Sequence, residues 1–223
     1  MIQTLNMNNT PQDMCGVLFS DGVFKIENYL NENTLKTLHD DILDKCENEA
    51  SHYEFGRNYR GDALSTFSNS SILSQVYDVE WMKNLYYQYS GTLNGYGKNV
   101  FATHDYQFTG ELARNGWLHF DRNWCLKFFI YLTDIDKSCG AFSCSVGSRQ
   151  KGEELRNIAW GVRDYDVVKN RIELDYPELL ETYPDEPVEA KAGTLIVFDT
   201  NTFHKGGQVE KGKSRLVVRL HCG

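Results

Sequence analysis

From Val100 onward the chain is built of short apolar runs, some alternating with polar residues and some continuous, bounded by Gly, Asn and Asp. This is the pattern of half-buried and fully buried strands. The runs are VFATHDYQF (100–108), GWLHFD (116–121), CLKFFIYLTD (125–134), GAFSCSV (140–146), TLIVFD (194–199) and SRLVVRLH (214–221). Upstream the period changes. Leu35, Leu38, Ile42 and Leu43 recur at helical spacing, Asp40, Asp41 and Glu47 take the opposite face, and Asn31 or Asn33 can cap the start, so a helix is predicted over 34–49. A short strand at 22–26 precedes it, with residues 1–20 expected as a loose arm, and 71–89 reads as one or two short helices. Residues 53–70, rich in Gly, Ser and Asn, are expected to form a loop over a pocket. Residues 150–190 interrupt the strand series with one helix (153–160) and an acidic, Tyr-rich stretch containing Pro177, Pro184 and Pro187.

Helices first and strands afterwards predict a mainly β fold with a helical N-terminal wrapping, a double-stranded β-helix of the jelly-roll, cupin-like kind. The expected organisation is one domain over 1–223: a helical support region at 18–99, a jelly-roll core at 100–221, and a lid-like insertion at 151–190. A length of 223 residues suits a single domain, and an aromatic content of 13% can fill the inward faces of such a barrel. A net charge of −8 argues against non-specific attraction to nucleic acid or to an anionic membrane surface, so an anionic ligand would need local Lys or Arg. The six cysteines form no CxxC pair and are expected as free thiols. With no signal-peptide pattern at the start and no long apolar run, a soluble cytoplasmic protein is expected, its oligomeric state unreadable.

Two short segments carry the chemistry. In WLHFDRN, His119 and Asp121 at i and i+2 of a strand project from one face, so an imidazole nitrogen and a carboxylate oxygen can meet one metal ion. Alone, H-x-D is ordinarily a hydrogen-bonded pair at a strand end. In TLIVFDTNTFHKGG an apolar strand ends in a polar turn and His204, and a lone histidine there is ordinarily a surface residue. Arg215 lies eleven residues after His204, beyond a glycine-rich turn and on the next strand. A strand–turn–strand unit can return this guanidinium to the metal, where its rigid fork suits a carboxylate. Two imidazoles and one carboxylate on one side of a metal leave open positions, the arrangement associated with non-haem iron(II).

The runs HFDRNWCLKFFIYLTDIDKSCGAFSCSVGSRQKG, AGTLIVFDTNTFHKGG and SRLVVRL resemble the phytanoyl-CoA dioxygenase-like family of Fe(II)/2-oxoglutarate oxygenases, and FSDGVFKIENYLNENTLKTLHDDI resembles its opening strand–helix. The resemblance covers about residues 18–50 and 100–221. It implies that His119, Asp121 and His204 are iron ligands, that Arg215 binds the C5 carboxylate of 2-oxoglutarate, and that Tyr106 is a polar contact to that co-substrate. It further implies oxidation of a small-molecule C–H bond with O2, releasing succinate and CO2. Halogenating relatives carry a small residue where this chain has Asp121, so hydroxylation is expected. Two positions depart from the family: its GSH reads Gly147-Ser148-Arg149, and Gly206 stands where some relatives have Ser or Thr.

Lys127, Phe129 and Tyr131 share one strand face, where Lys127 can steer an anion or reach solvent. Arg149 faces either substrate or a carboxylate partner, His104 and His221 read as packing or surface histidines, and Trp117 and Trp124 as core or pocket wall. The rival functional readings are a cupin-like metal-dependent isomerase or hydrolase, and a non-catalytic small-molecule-binding barrel.

Overall fold

The computed structural model describes residues 1–48, 51–53, 56–61, 72–77, 79–97, 99–107, 116–159 and 169–223. Among them the strands are β1 (Gln3–Leu5), β2 (Val23–Ile26), β3 (Ser51–Tyr53), β4 (Gly56–Gly61), β5 (Asn99–Tyr106), β6 (Leu126–Tyr131), β7 (Ser143–Cys144), β8 (Glu186–Pro187), β9 (Leu195–Asp199), β10 (His204–Lys205) and β11 (Ser214–Cys222). The helices are α1 (Pro11–Ser20), α2 (Glu32–Asn48), α3 (Ile72–Tyr77), α4 (Glu80–Ser90), α5 (Arg149–Ala159) and α6 (Ile172–Asp175). The strands form a large sheet in the order β1-β2-β9-β6-β11-β5-β4-β3 and a small one in the order β10-β7-β8. All pairings are antiparallel except β1 with β2. The two sheets face each other as in a jelly roll, without closing into a barrel. No described helix is long and apolar enough to cross a membrane.

Alternation along the central strands decides the layering. On β6, Leu126, Phe128 and Ile130 point to the helices; on β9, Leu195 and Val197 do; on β11, Leu216, Val218, Leu220 and Cys222 do. They pack there against Met14 and Leu18 of α1, Leu38 and Ile42 of α2, and Met82, Leu85 and Tyr86 of α4. The intervening residues Phe129, Tyr131, Ile196, Phe198 and Val217 fill the space between the sheets with Phe142 and Cys144. On that inner face β11 also carries Arg215, Arg219 and His221, and β6 carries Lys127; all four line one cavity. Charged side chains on the inner face of buried central strands are costly unless paired, and Lys127 pairs with Asp121 while Arg215 and Arg219 pair with Asp105.

Several expectations are corrected here. Residues 1–20 are not a loose arm: β1 pairs with β2, and α1 starts at a capping box in which Thr10 accepts from Asp13 N and the Asp13 carboxylate accepts from Thr10 N at 2.9 Å. The sequence signal, T-P-Q-D, is a Pro at the first helical turn after a capping Thr. Residue 53 and residues 56–61 of the expected loop are strand, β3 pairing with β4 and β4 with β5 at the sheet edge; residues 54–55 and 62–70 of that loop lie outside the described residues. The expected strands GWLHFD and GAFSCSV shrink to two isolated bridges at His119, to Arg171 and to His204, and to β7. The expected helices at 34–49 and 71–89 are present as α2, α3 and α4, with Asn31 Oδ1 accepting from Thr34 N.

The described parts of the insertion pack against the chain that carries the H-x-D. Ile172 N donates to Leu118 O at 2.7 Å and Phe120 N to Asn170 O at 3.3 Å, so this segment lies alongside the H-x-D chain. Leu118, Phe120, Phe203, Ile172 and Leu155 form a separate buried cluster on the side away from the cavity. No described residue of 151–190 lines the cavity. The described part of the segment packs beside the H-x-D chain, where its apolar residues find their partners; residues 160–168 lie outside the described set.

Candidate metal centre

His119 and His204 come together through a reciprocal antiparallel pair: His119 N donates to His204 O at 2.9 Å, and His204 N to His119 O at 2.7 Å. Residues directly opposite in such a pair project from the same face, and the two imidazole centroids lie 4.5 Å apart. Asp121 N donates to Thr200 O at 2.9 Å, which ties the second residue of the H-x-D to the turn leading into His204. One nitrogen of each imidazole and one Asp121 oxygen lie within 4.8 Å of one another. Asp121 Oδ1 is 3.5 Å from His119 Nε2 and 3.5 Å from His204 Nε2. Adjacent donors of an octahedral shell with bonds of about 2.1 Å stand about 3 Å apart, so the observed spacing needs little adjustment to hold one ion.

The tautomers favour the same reading. His119 Nδ1 lies 2.7 Å from Trp117 O, and His204 Nδ1 lies 2.7 Å from Thr202 O. A carbonyl can only accept, so each Nδ1 carries the proton and each Nε2 offers its lone pair to the site. Burial, followed by repulsion from His119, lowers the pKa of His204 to about 4, keeping it a neutral donor. Burial opposes charge on Asp121, but Lys127 and the two imidazoles outweigh it and hold the carboxyl well below its usual range. Two imidazoles and one carboxylate suit a divalent first-row ion such as iron(II).

The cavity beside these residues has a volume of about 470 Å³. Phe101, Phe129, Phe142 and Phe198 give it aromatic walls, and Lys127, Phe129 and Tyr131 all face it as their alternation predicts. Arg215 also lines it, buried, with Nε 2.8 Å and Nη2 2.6 Å from Asp105 Oδ2, and Nη1 donating to Gly140 O. Asp105 is its cross-strand partner in the β5–β11 register, a charged residue opposite a charged residue that the sequence reading passed over. Tyr106 borders the cavity with its hydroxyl 2.8 Å from His104 Nδ1. His221 is a cavity residue, its ring centroid 4.8 Å from that of Phe101; burial first, then Lys127 and Arg219, lowers its pKa well below the usual value. Trp124 packs in the helical-side core.

Arg149 takes the carboxylate alternative. Its Nε lies 3.1 Å from Oδ2 of the fully buried Asp199, which also accepts from Tyr89 OH at 2.7 Å and, through Oδ1, from Asn201 N at 2.7 Å. The network braces the turn between β9 and His204 and does not touch the cavity. Gly152 of α5 lies against the Asn201 carbonyl of this turn, so close that a Cβ would overlap the oxygen. Ser148 Oγ accepts from Phe203 N at 2.8 Å, adding a further tie one residue before His204.

The sequence matches the phytanoyl-CoA dioxygenase (PhyH) family over residues 19–217. The chain belongs to this family. Among curated proteins, none matches the chain in sequence. Solved structures share its fold at low identity. The epimerase SnoN, in complex with Fe3+, alpha ketoglutarate and nogalamycin RO, is 12% identical with a TM-score of 0.65, over 95% of this chain and 82% of SnoN. The non-heme alpha ketoglutarate dependent carbocyclase SnoK from nogalamycin biosynthesis is 14% identical with a TM-score of 0.60, over 96% and 85%. HygX from Streptomyces hygroscopicus, with nickel and 2-oxoglutarate bound, is 12% identical with a TM-score of 0.59, over 95% and 86%. For this PhyH-family chain they establish a common architecture.

Proposed function

We propose that this PhyH-family protein is an Fe(II)- and 2-oxoglutarate-dependent oxygenase that hydroxylates a C–H bond of a small molecule, with His119, Asp121 and His204 as the iron ligands. The observation that carries the reading is the convergence of these three donors at the mouth of an aromatic cavity, with both Nε2 atoms freed for a metal by carbonyls behind them. Iron(II), 2-oxoglutarate and O2 together supply the oxidising power: one oxygen atom enters the substrate, the other enters succinate, and CO2 leaves. The protein's part is positional. The backbone pair between residues 119 and 204 holds the donors, and the buried phenylalanines exclude water and orient an apolar or planar substrate. Arg215 is proposed to hold the distal carboxylate of 2-oxoglutarate: it is buried, permanently charged and aimed by Asp105 at the cavity. Tyr106, on the cavity's border, is proposed as a lesser polar contact to the same molecule.

The relatives SnoN and SnoK are named as an epimerase and a carbocyclase, so cyclisation and epimerisation are the alternatives to hydroxylation within the same oxidative class. The test is release of succinate from 2-oxoglutarate by purified protein with iron(II), ascorbate and O2, with and without candidate substrates. Succinate that depends on iron and disappears in His204→Ala supports the reading. Absence of both metal uptake and succinate rejects it in favour of a non-oxidative barrel.

A further inference from the structure

Lys127 is the one cation in direct contact with the proposed ligands among the described residues. Its Nζ lies 2.6 Å from Oδ2 of Asp121, while Oδ1 of the same carboxylate faces both imidazoles. The lysine is set on the central strand β6, between β9 and β11, where its cross-strand neighbours are Phe198 and His221. Its side chain is only 12% exposed, with the ammonium 5.7 Å from the Phe198 ring centroid, so it does not reach bulk solvent. A buried ammonium needs a compensating anion, and Asp121 is the carboxylate it contacts.

We propose that Lys127 is a positioning residue of the metal centre, occupying Oδ2 so that Asp121 offers an ion one oxygen and not two. The inference rests on the ligand assignment made above. A carboxylate can bind a cation through one oxygen or both. With two imidazoles and a bidentate carboxylate, a six-coordinate ion keeps two open positions; with a monodentate one it keeps three. A chelating keto-acid and a diatomic gas together require three. Lys127 therefore sets how many positions the centre can give to its co-substrates.

The experiment compares metal-free wild type, Lys127→Met, Lys127→Arg and Lys127→Gln, titrated with cobalt(II) and then with 2-oxoglutarate while the visible absorption is recorded. Lys127→Met is expected to weaken cobalt binding by about 10- to 100-fold, the usual effect of removing a partner that orients a ligand. It is also expected to change the absorption of the cobalt–2-oxoglutarate complex, with Lys127→Arg restoring both towards wild type. Cobalt affinity within about twofold of wild type and an unchanged spectrum in Lys127→Met would overturn the proposal. Melting of the metal-free proteins controls for folding. Should Lys127→Met melt early, the Arg and Gln variants decide: equal affinities and spectra for these two refute the role, and a deficit in Gln alone supports it. His204→Ala separates the two readings, because if it keeps wild-type cobalt affinity the ligand set itself is wrong, whatever Lys127 does.

Discussion

Asp199 offers a quantitative test of how the turn before His204 is held. The carboxylate is fully buried and accepts from Tyr89 OH, Arg149 Nε and Asn201 N, at 2.7, 3.1 and 2.7 Å. Asp199→Asn removes the charge at nearly constant volume and leaves Arg149 with Glu153, 3.1 Å away and far more exposed. Breaking one side of a buried pair typically costs about 3–5 kcal/mol. Arg149, whose side chain is 15% exposed, retains some water and Glu153, which puts the expectation at the lower end, about 3 kcal/mol. At about 2–4 °C per kcal/mol for a domain of this size, the melting temperature should fall by about 6–12 °C. The double-mutant cycle with Arg149→Met isolates the pair, and residues in one network are expected to couple by about 1–3 kcal/mol. The assay is urea and thermal unfolding of the four proteins. A loss below about 1 kcal/mol in Asp199→Asn, or additivity within about 0.5 kcal/mol, would refute a structural role for this ion pair.

Other expectations follow from the same coordinates. Gly152→Ala should destabilise the fold even though Ala exceeds Gly in helix propensity by about 1 kcal/mol, because a Cβ there overlaps the Asn201 carbonyl oxygen; a raised melting temperature would contradict the packing. Arg215→Ala should raise the KM for 2-oxoglutarate by about 10- to 100-fold, the size of a lost charge-assisted contact, and also lower the melting temperature, since it removes Asp105's contacts at 2.6 and 2.8 Å; unchanged co-substrate dependence of succinate release rejects the assignment. Burial pushes the Cys125 thiol up to about 12 and raises Cys15, Cys144 and Cys222 as well. At pH 8 only roughly one Cys125 in ten thousand is then thiolate, so alkylation at this site should be slow in the native protein, accelerate with pH through the range below 12, and become fast in denaturant. Rapid native labelling of Cys125 read by peptide mass would contradict this.

The outline of the fold was legible wherever one physical signal dominated. The 3.6-residue spacing of Leu35, Leu38 and Ile42 announced α2, and the apolar runs of β6, β9 and β11 announced the central strands. It was obscured where a local signal pointed elsewhere. Gly56, Asn58 and Gly61 look like loop residues, yet β5 supplies a partner edge and they pair as a strand. GWLHFD looks like a full strand, yet its neighbours bind it at single points, because the insertion lies on one side and His204 on the other.

Chain order and residue type by themselves determined the donor chemistry: an imidazole and a carboxylate two apart, a second imidazole after an apolar strand, and an arginine eleven beyond it. These follow from local periodicity, which depends only on neighbours along the backbone. Only the tertiary structure decided which cation serves which anion. Lys127 meets Asp121, Arg149 meets Asp199 and Arg215 meets Asp105, and the last two of these pairings join residues 50 and 110 positions apart, brought together by packing and sheet register and not by any spacing along the chain. A charge inside a protein must find a partner across space, and which partner it finds is settled by sheet register and packing, after the chain has folded.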